Sequence, residues 1–256
     1  MMHVEVHDGA GPYLLLVHGL CSSRAQWRPN LEALRRFSTP VVIEVLGHGR
    51  SESPADPAAY TVEAYIDRFE ALRADLGADR WAVCGQSFGA GLTLRYALER
   101  PDRVFAQVFT NSNSALSPGD PPVSEEIRLQ RMAAFEARGR AALEAMAFYP
   151  KRAGRLPPDV EDELIADAGL ISLAGIANGL RWTSPGLCVT PRLGEIAVPT
   201  LLVNGRRERR FQPLRDQAAQ AIPGVRVVDL DGGHPINLDC AEGFNAAVAD
   251  FLARHP

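Results

Sequence analysis

Apolar and polar positions along the chain change period several times. Short runs of apolar and β-branched residues fall at 4–6, 14–17, 41–45, 81–84, 104–110, 200–204 and 225–230, and each has the length of a strand. Between them lie stretches with a helical repeat. Thr61 is placed to cap a helix over 62–76, in which Tyr65, Ile66, Phe69 and Leu72 make one apolar stripe. A second helix is expected from Phe88 to about Arg100, stopped by Pro101. A last one is expected after Asp239, with Glu242 three positions on in a capping-box-like start. Strands alternating with helices predict crossover-linked parallel strands in one sheet, the α/β class.

That rhythm fails between Ser112 and Val198. Pro118, Pro121, Pro122, Pro157 and Pro158 break this stretch, and helical patterns fall at 124–137, 141–149, 160–168 and 170–180. A structureless loop of that length is implausible inside a compact domain, so the reading is a small helical subdomain at 113–197, inserted before the penultimate strand. The remainder, 1–112 and 198–256, forms the core domain.

Composition adds exclusions. A chain of 256 residues with 46% hydrophobic and 23% charged side chains is an ordinary globular composition that can bury one sizeable core. A net charge of −4 with scattered arginines argues against nucleic acid as a partner, which needs a basic stripe. No apolar run reaches the ~18 residues of a membrane span, and the alternating Met1–Val6 start does not read as a secretory signal. Cys21, Cys84, Cys188 and Cys240 stand far apart without metal-type spacing, so reduced thiols in a cytoplasmic protein are expected, with no metal.

The chemistry is concentrated at three strand ends. Gly85-Gln86-Ser87-Phe88-Gly89 is G-x-S-x-G set between an expected strand and an expected helix. A nucleophile on so tight a turn takes strained dihedrals, and its neighbours at −2 and +2 must be small for strand and helix to approach. His18-Gly19-Leu20 ends the second expected strand, and Gly47-His48-Gly49-Arg50-Ser51 follows the third. With these motifs in this order the chain resembles the α/β-hydrolase family over nearly its whole length. The resemblance implies a mostly parallel twisted sheet flanked by helices, with 113–197 as a helical cap over the pocket.

Residue by residue, the resemblance makes Ser87 the nucleophile and His234, in Gly232-Gly233-His234, the general base. The pairing is chemically sound, since a serine hydroxyl attacks only when an imidazole takes its proton. His18 and His48 are read as turn-shaping residues of their loops. Glu208, three residues after Gly205, stands where family members usually carry an Asp. A glutamate suffices to accept the second imidazole N–H. The opposing reading is a solvated loop charge among Arg206, Arg207, Arg209 and Arg210. The strand end Thr110-Asn111-Ser112-Asn113, where some members place the acid, has no carboxylate, and Asp239 reads as a helix cap. Leu20 and Phe88 match the family's backbone donors to an oxyanion. Trp27, Phe135, Met146, Phe148, Tyr149 and Trp182 are candidates to line the substrate pocket.

These residues predict a serine hydrolase that acts on a small carboxylic ester or related acyl compound through an acyl-enzyme, without metal or organic cofactor. Two alternatives stay open. One is a carbon-carbon bond hydrolase or pyruvate-eliminating lyase, with Arg128, Arg131, Arg181 or Arg210 holding an anionic substrate. The other is a ligand-binding receptor on the same fold with little turnover.

Overall fold

A computed structural model describes residues 1–117, 125–146, 149–150 and 158–255. Seven strands form one sheet: β1 (His3–Val6), β2 (Tyr13–Val17), β3 (Thr39–Glu44), β4 (Trp81–Gly85), β5 (Val104–Thr110), β6 (Thr200–Gly205) and β7 (Arg226–Leu230). Their spatial order is β1-β3-β2-β4-β5-β6-β7. Only β1 runs antiparallel, against β3, and every other pairing is parallel. The expected strands therefore form within a residue or two of their predicted bounds.

Period-2 alternation in the strands splits the core into two layers. Leu15, Val17, Val83, Phe109 and Leu202 face one side, where they meet α2 (Val62–Asp75) and α3 (Phe88–Glu99). Leu14, Leu16, Ala82, Val108 and Leu201 face the other, against α1 (Arg28–Leu34) and the last helix, Ala241–Leu252. Thr61 caps α2 as its position predicts, its hydroxyl accepting from the Ala64 N–H at 3.2 Å. The short helix α1 has no clear stripe in the sequence and was not expected.

Between β5 and β6 the described residues are helical and carry no strand: α4 (Asn113–Leu116), α5 (Glu125–Arg138), α6 (Arg140–Glu144), α7 (Pro158–Gly169) and α8 (Leu173–Asn178). Pro158 does not break this stretch but opens α7, where its missing N–H costs no hydrogen bond. The other four prolines expected as breaks lie outside the described residues. After β6 come α9 (Gln212–Ala221), whose polar sequence hides it, then α10 (Ile236–Asp239) and α11 (Ala241–Leu252).

The inserted helices are pinned to the core at two places. Buried Asp167 of α7 accepts from Ser23 Oγ at 2.7 Å and from Arg50 Nη1 at 3.0 Å, and that guanidinium also faces Glu44. At α8, the Ser172 N–H donates to the Gly47 carbonyl at 3.0 Å. A Cβ on Gly47 would stand 2.7 Å from the Gly175 Cα, so loop and helix touch backbone to backbone.

Strand order locates the working face. β2 lies between β3 and β4, so the loops leaving β2 and β4 depart toward opposite sides of the sheet and open a crevice at their carboxyl ends. Those two loops carry His18-Gly19-Leu20 and Gln86-Ser87-Phe88.

Candidate active site

Ser87 sits at φ 52° and ψ −112°, between the end of β4 and the start of α3. Among the described residues only Cys21 and Ser87 hold a positive φ without being glycine. Such a conformation costs on the order of 1–3 kcal/mol and persists only where its surroundings enforce it. The enforcement is visible. A Cβ on Gly85 would stand 2.5 Å from the Thr93 Oγ1, and one on Gly89 would collide with the Val17 carbonyl and lie 2.7 Å from the His18 oxygen. The Ser87 carbonyl accepts from Ser112 Oγ at 2.6 Å and from the Ala90 N–H at 3.0 Å.

His234 follows β7, and its Nδ1 lies 2.9 Å from Glu208 Oε2. An ionised carboxylate only accepts, so Nδ1 carries the proton and Nε2 is the nitrogen left for exchange. Glu208 is not a solvated loop charge: its side chain is 17% exposed. It also accepts from Asn111 Nδ2 at 2.8 Å and from Asn113 Nδ2 at 3.0 Å. Burial pushes the Glu208 carboxyl up. Hydrogen bonds from His234, Asn111 and Asn113 and the charge of His234 outweigh that and hold it below the ordinary carboxylate range.

Other carboxylates near His234 in sequence are engaged elsewhere. Asp229 pairs with Arg215 at 2.7 Å and Asp231 with Arg207 at 2.8 Å. Asp239 is not the cap of the last helix. It closes α10, and its Oδ2 accepts from the Gly233 N–H at 2.6 Å, which braces the loop that carries His234. Cys240 stands at the N-cap of α11 with no side-chain bond.

The loop after β2 adjoins the serine, because a Cβ on Gly19 would stand 3.4 Å from the Ser87 Cβ. Leu20 follows in that loop, and Phe88 opens α3, where first-turn amides have no intrahelical acceptor. His18 and His48 brace the loop as expected. His18 donates from Nδ1 to the Gly19 carbonyl at 2.7 Å and accepts at Nε2 from the Val45 N–H at 3.1 Å. His48 donates to the Leu46 carbonyl and accepts from the Cys21 N–H, both at 3.1 Å. Burial holds both imidazoles neutral, lowering His18 to about 3 and His48 to about 4.

One functional feature was missed in the sequence, a set of buried amides. Gln26 Oε1 accepts from the Gly19 N–H at 3.1 Å, and its Nε2 donates to Asn237 Oδ1 at 3.3 Å. Asn237 Nδ2 donates to the Gln26 carbonyl at 3.0 Å and to Asn30 Oδ1 at 3.2 Å. Gln86 Nε2 donates to the His234 carbonyl at 3.3 Å. The three loops are thus tied to one another by side chains far apart in sequence, for which no local pattern exists.

The expected pocket residues separate into groups. Phe135, Met146 and Tyr149 share one apolar cluster with Leu20 and Cys21, beside the loop after β2. Trp27 does not belong there. It has no exposed surface and packs at 6.2 Å on Phe244 of α11, in the core layer under the sheet. Trp182 is 39% exposed with the Arg181 guanidinium 4.9 Å over its ring. Phe148 lies outside the described residues. A surface cleft of about 570 Å³ lies elsewhere, lined by Glu5, Arg24 and Glu163 among others, and Arg24 already pairs with both carboxylates.

With this geometry in place, the wider likeness can be stated. The family model for the alpha/beta hydrolase fold matches residues 12–159, more than half of the chain, and the chain belongs to that family. A relative from Pseudomonas savastanoi pv. phaseolicola, named as a candidate carbamate hydrolase, RutD, is 29% identical over 98% of this chain and 98% of its own. One from Bacillus subtilis, named as a candidate 2-succinyl-6-hydroxy-2,4-cyclohexadiene-1-carboxylate synthase, is 23% identical over 95% of this chain and 91% of its own. Among solved structures, the enol-lactonase from Burkholderia xenovorans LB400 aligns with a TM-score of 0.81 at 25% identity, covering 98% of this chain and 96% of that one.

Proposed function

We propose that the chain is a serine hydrolase that cleaves a small acyl compound, an ester, lactone or carbamate, through a Ser87-His234-Glu208 triad. The observation that carries this reading is the 2.9 Å contact from His234 Nδ1 to Glu208 Oε2, with Ser87 held at positive φ on the adjoining turn. The names of the relatives from Pseudomonas savastanoi and Burkholderia xenovorans support the substrate class, since each denotes attack on a carbonyl carbon bonded to a heteroatom.

In this reading His234 Nε2 takes the Ser87 hydroxyl proton as Oγ bonds to the substrate carbonyl carbon. The carbonyl oxygen gains charge opposite the Leu20 and Phe88 N–H groups. Collapse breaks the bond to the leaving group, which leaves with the proton from His234. Water then gives its proton to the same imidazole as it attacks the acyl carbon, and the bond to Ser87 Oγ breaks as the imidazole returns that proton to Oγ. Glu208 keeps the imidazole in one tautomer and offsets its transient charge. The helices of 113–197 act as the cap, with Phe135, Met146 and Tyr149 as the apolar wall.

The deciding experiment is labelling by a fluorophosphonate, read by intact mass and peptide mapping. One adduct on Ser87, absent in Ser87→Ala, is expected; an adduct on another serine, or none, overturns the assignment. A second reading, proton abstraction with elimination from an anionic substrate, draws on the name of the Bacillus subtilis relative and on exposed Arg210, two residues after the triad acid in sequence. A p-nitrophenyl ester panel with burst kinetics separates the two, because only acyl transfer gives a burst of one equivalent.

A further inference from the structure

Two asparagines at the end of β5 converge on Glu208 from outside its own loop. Asn111 is fully buried, and its Nδ2 donates to Glu208 Oε2, the same oxygen that faces His234. Its position is set independently of the acid: Asn111 Oδ1 accepts from the Gly205 N–H at 2.8 Å and Nδ2 donates to the Gly205 carbonyl at 3.0 Å. Asn111 is therefore locked to the last residue of β6, three positions before Glu208. Asn113 Nδ2 takes the other oxygen, Oε1, at 3.0 Å. With three N–H donors on its two oxygens, the carboxylate has little freedom to rotate away from the imidazole.

We propose that Asn111 and Asn113 are positioning residues that clamp the Glu208 carboxylate, keep it ionised despite its burial, and aim it at His234. The inference rests on the role proposed above for Glu208.

Other charges surround the clamp without bonding to the carboxylate. On its own loop, Arg206 and Arg207 face Asp231 at 3.9 and 2.8 Å, while Arg209 and Arg210 are exposed. On α9, Arg215 pairs with Asp216 and Asp229. On the His234 loop, Asp239 is occupied by the Gly233 N–H. The segment after β5 presents Asn111, Ser112 and Asn113, none of which ionises.

The sign of the effect follows from the donors. An amide N–H stabilises the carboxylate more than its protonated form, so each donor lowers the proton affinity of the coupled Glu208-His234 pair. Removing a donor moves the titration of the pair to higher pH. Replacing one with a carboxylate moves it further, because a like charge then stands beside Glu208.

The test follows the His234 ring by NMR across pH in the wild-type chain, Asn113→Ala and Asn111→Asp, and measures Ser87 phosphonylation in the same samples. The midpoint read at the ring should rise by about half a pH unit in Asn113→Ala and by about one or more in Asn111→Asp. Below that midpoint, Ser87 labelling should slow by roughly threefold or more. Asn113 is exposed, so its variant tests the clamp even if the buried Asn111→Asp change prevents folding. Unmoved midpoints in every folded variant overturn the proposal. The ring titration needs no turnover, so it reads the clamp separately from the hydrolase assignment, whose own failure shows as an unlabelled wild-type Ser87.

Discussion

At Glu208, four neighbouring arginines would suit a solvated loop, yet the carboxylate turns inward to His234, Asn111 and Asn113. Glu208→Gln keeps the volume but loses the charge that offsets an imidazolium and permits the wrong tautomer. We expect kcat to fall by roughly 10²- to 10⁴-fold with KM changed much less. Steady-state kinetics at fixed pH check this, and activity within about threefold of wild type would return Glu208 to the ordinary surface class. Ser87, His234 and Glu208 could be singled out in the sequence through the family resemblance that the strand-end motifs carry. Trp27 could not be placed that way. An indole is equally at home in a pocket wall and in a core, and only its contact with Phe244, far along the chain, decided between them.

Two element junctions support the site, and each has a measurable cost. α3 reaches β2 only because Gly89 has no side chain. Gly89→Ala drives a methyl group into the Val17 and His18 carbonyls, and we expect a loss of about 1–3 kcal/mol in urea unfolding, with phosphonylation slowed by displacement of the turn that carries Ser87. A stability equal to wild type would mean the helix can shift at no cost. α7 is held by buried Asp167, on Ser23 and Arg50. Asp167→Ala leaves the Arg50 guanidinium paired with Glu44, so a moderate loss of about 1–3 kcal/mol is expected, not collapse. Limited proteolysis should then cut within α7 before the sheet; cleavage no faster than in wild type would show that the pin is not needed.

For the whole molecule, the two buried imidazoles set an acid limit. His18 and His48 stay neutral down to about 3 and about 4, whereas in the unfolded chain each takes up a proton near 6.5. The unfolded state therefore binds more protons as pH falls below about 6.5, and stability declines from there toward pH 4. Each group contributes roughly 2–3 kcal/mol to that decline by pH 4.5, and none above pH 7. Urea midpoints measured at pH 7.5, 6 and 4.5 should fall stepwise, and His48→Gln should flatten the slope. An unchanged midpoint across that range would mean the loops open to admit protons without unfolding.

Strand positions, the helices α2, α3 and α11, their α/β order and the three strand-end motifs followed from the sequence alone, because side-chain period, caps and tight-turn glycines act over a few residues. Helix α1 is only seven residues long, and α9 has a thin stripe of Leu214, Ala218 and Ala221 in a mostly polar sequence, so neither stood out locally and burial against the core layers fixed them. Tertiary structure alone placed Asp239 under the Gly233 N–H, not at the start of α11. It alone gathered Gln26, Asn30 and Asn237 into one amide cluster and brought Asn111 to a carboxylate 97 residues away. Buried polar groups must find partners wherever the fold supplies them, and such partners leave no periodic trace along the chain.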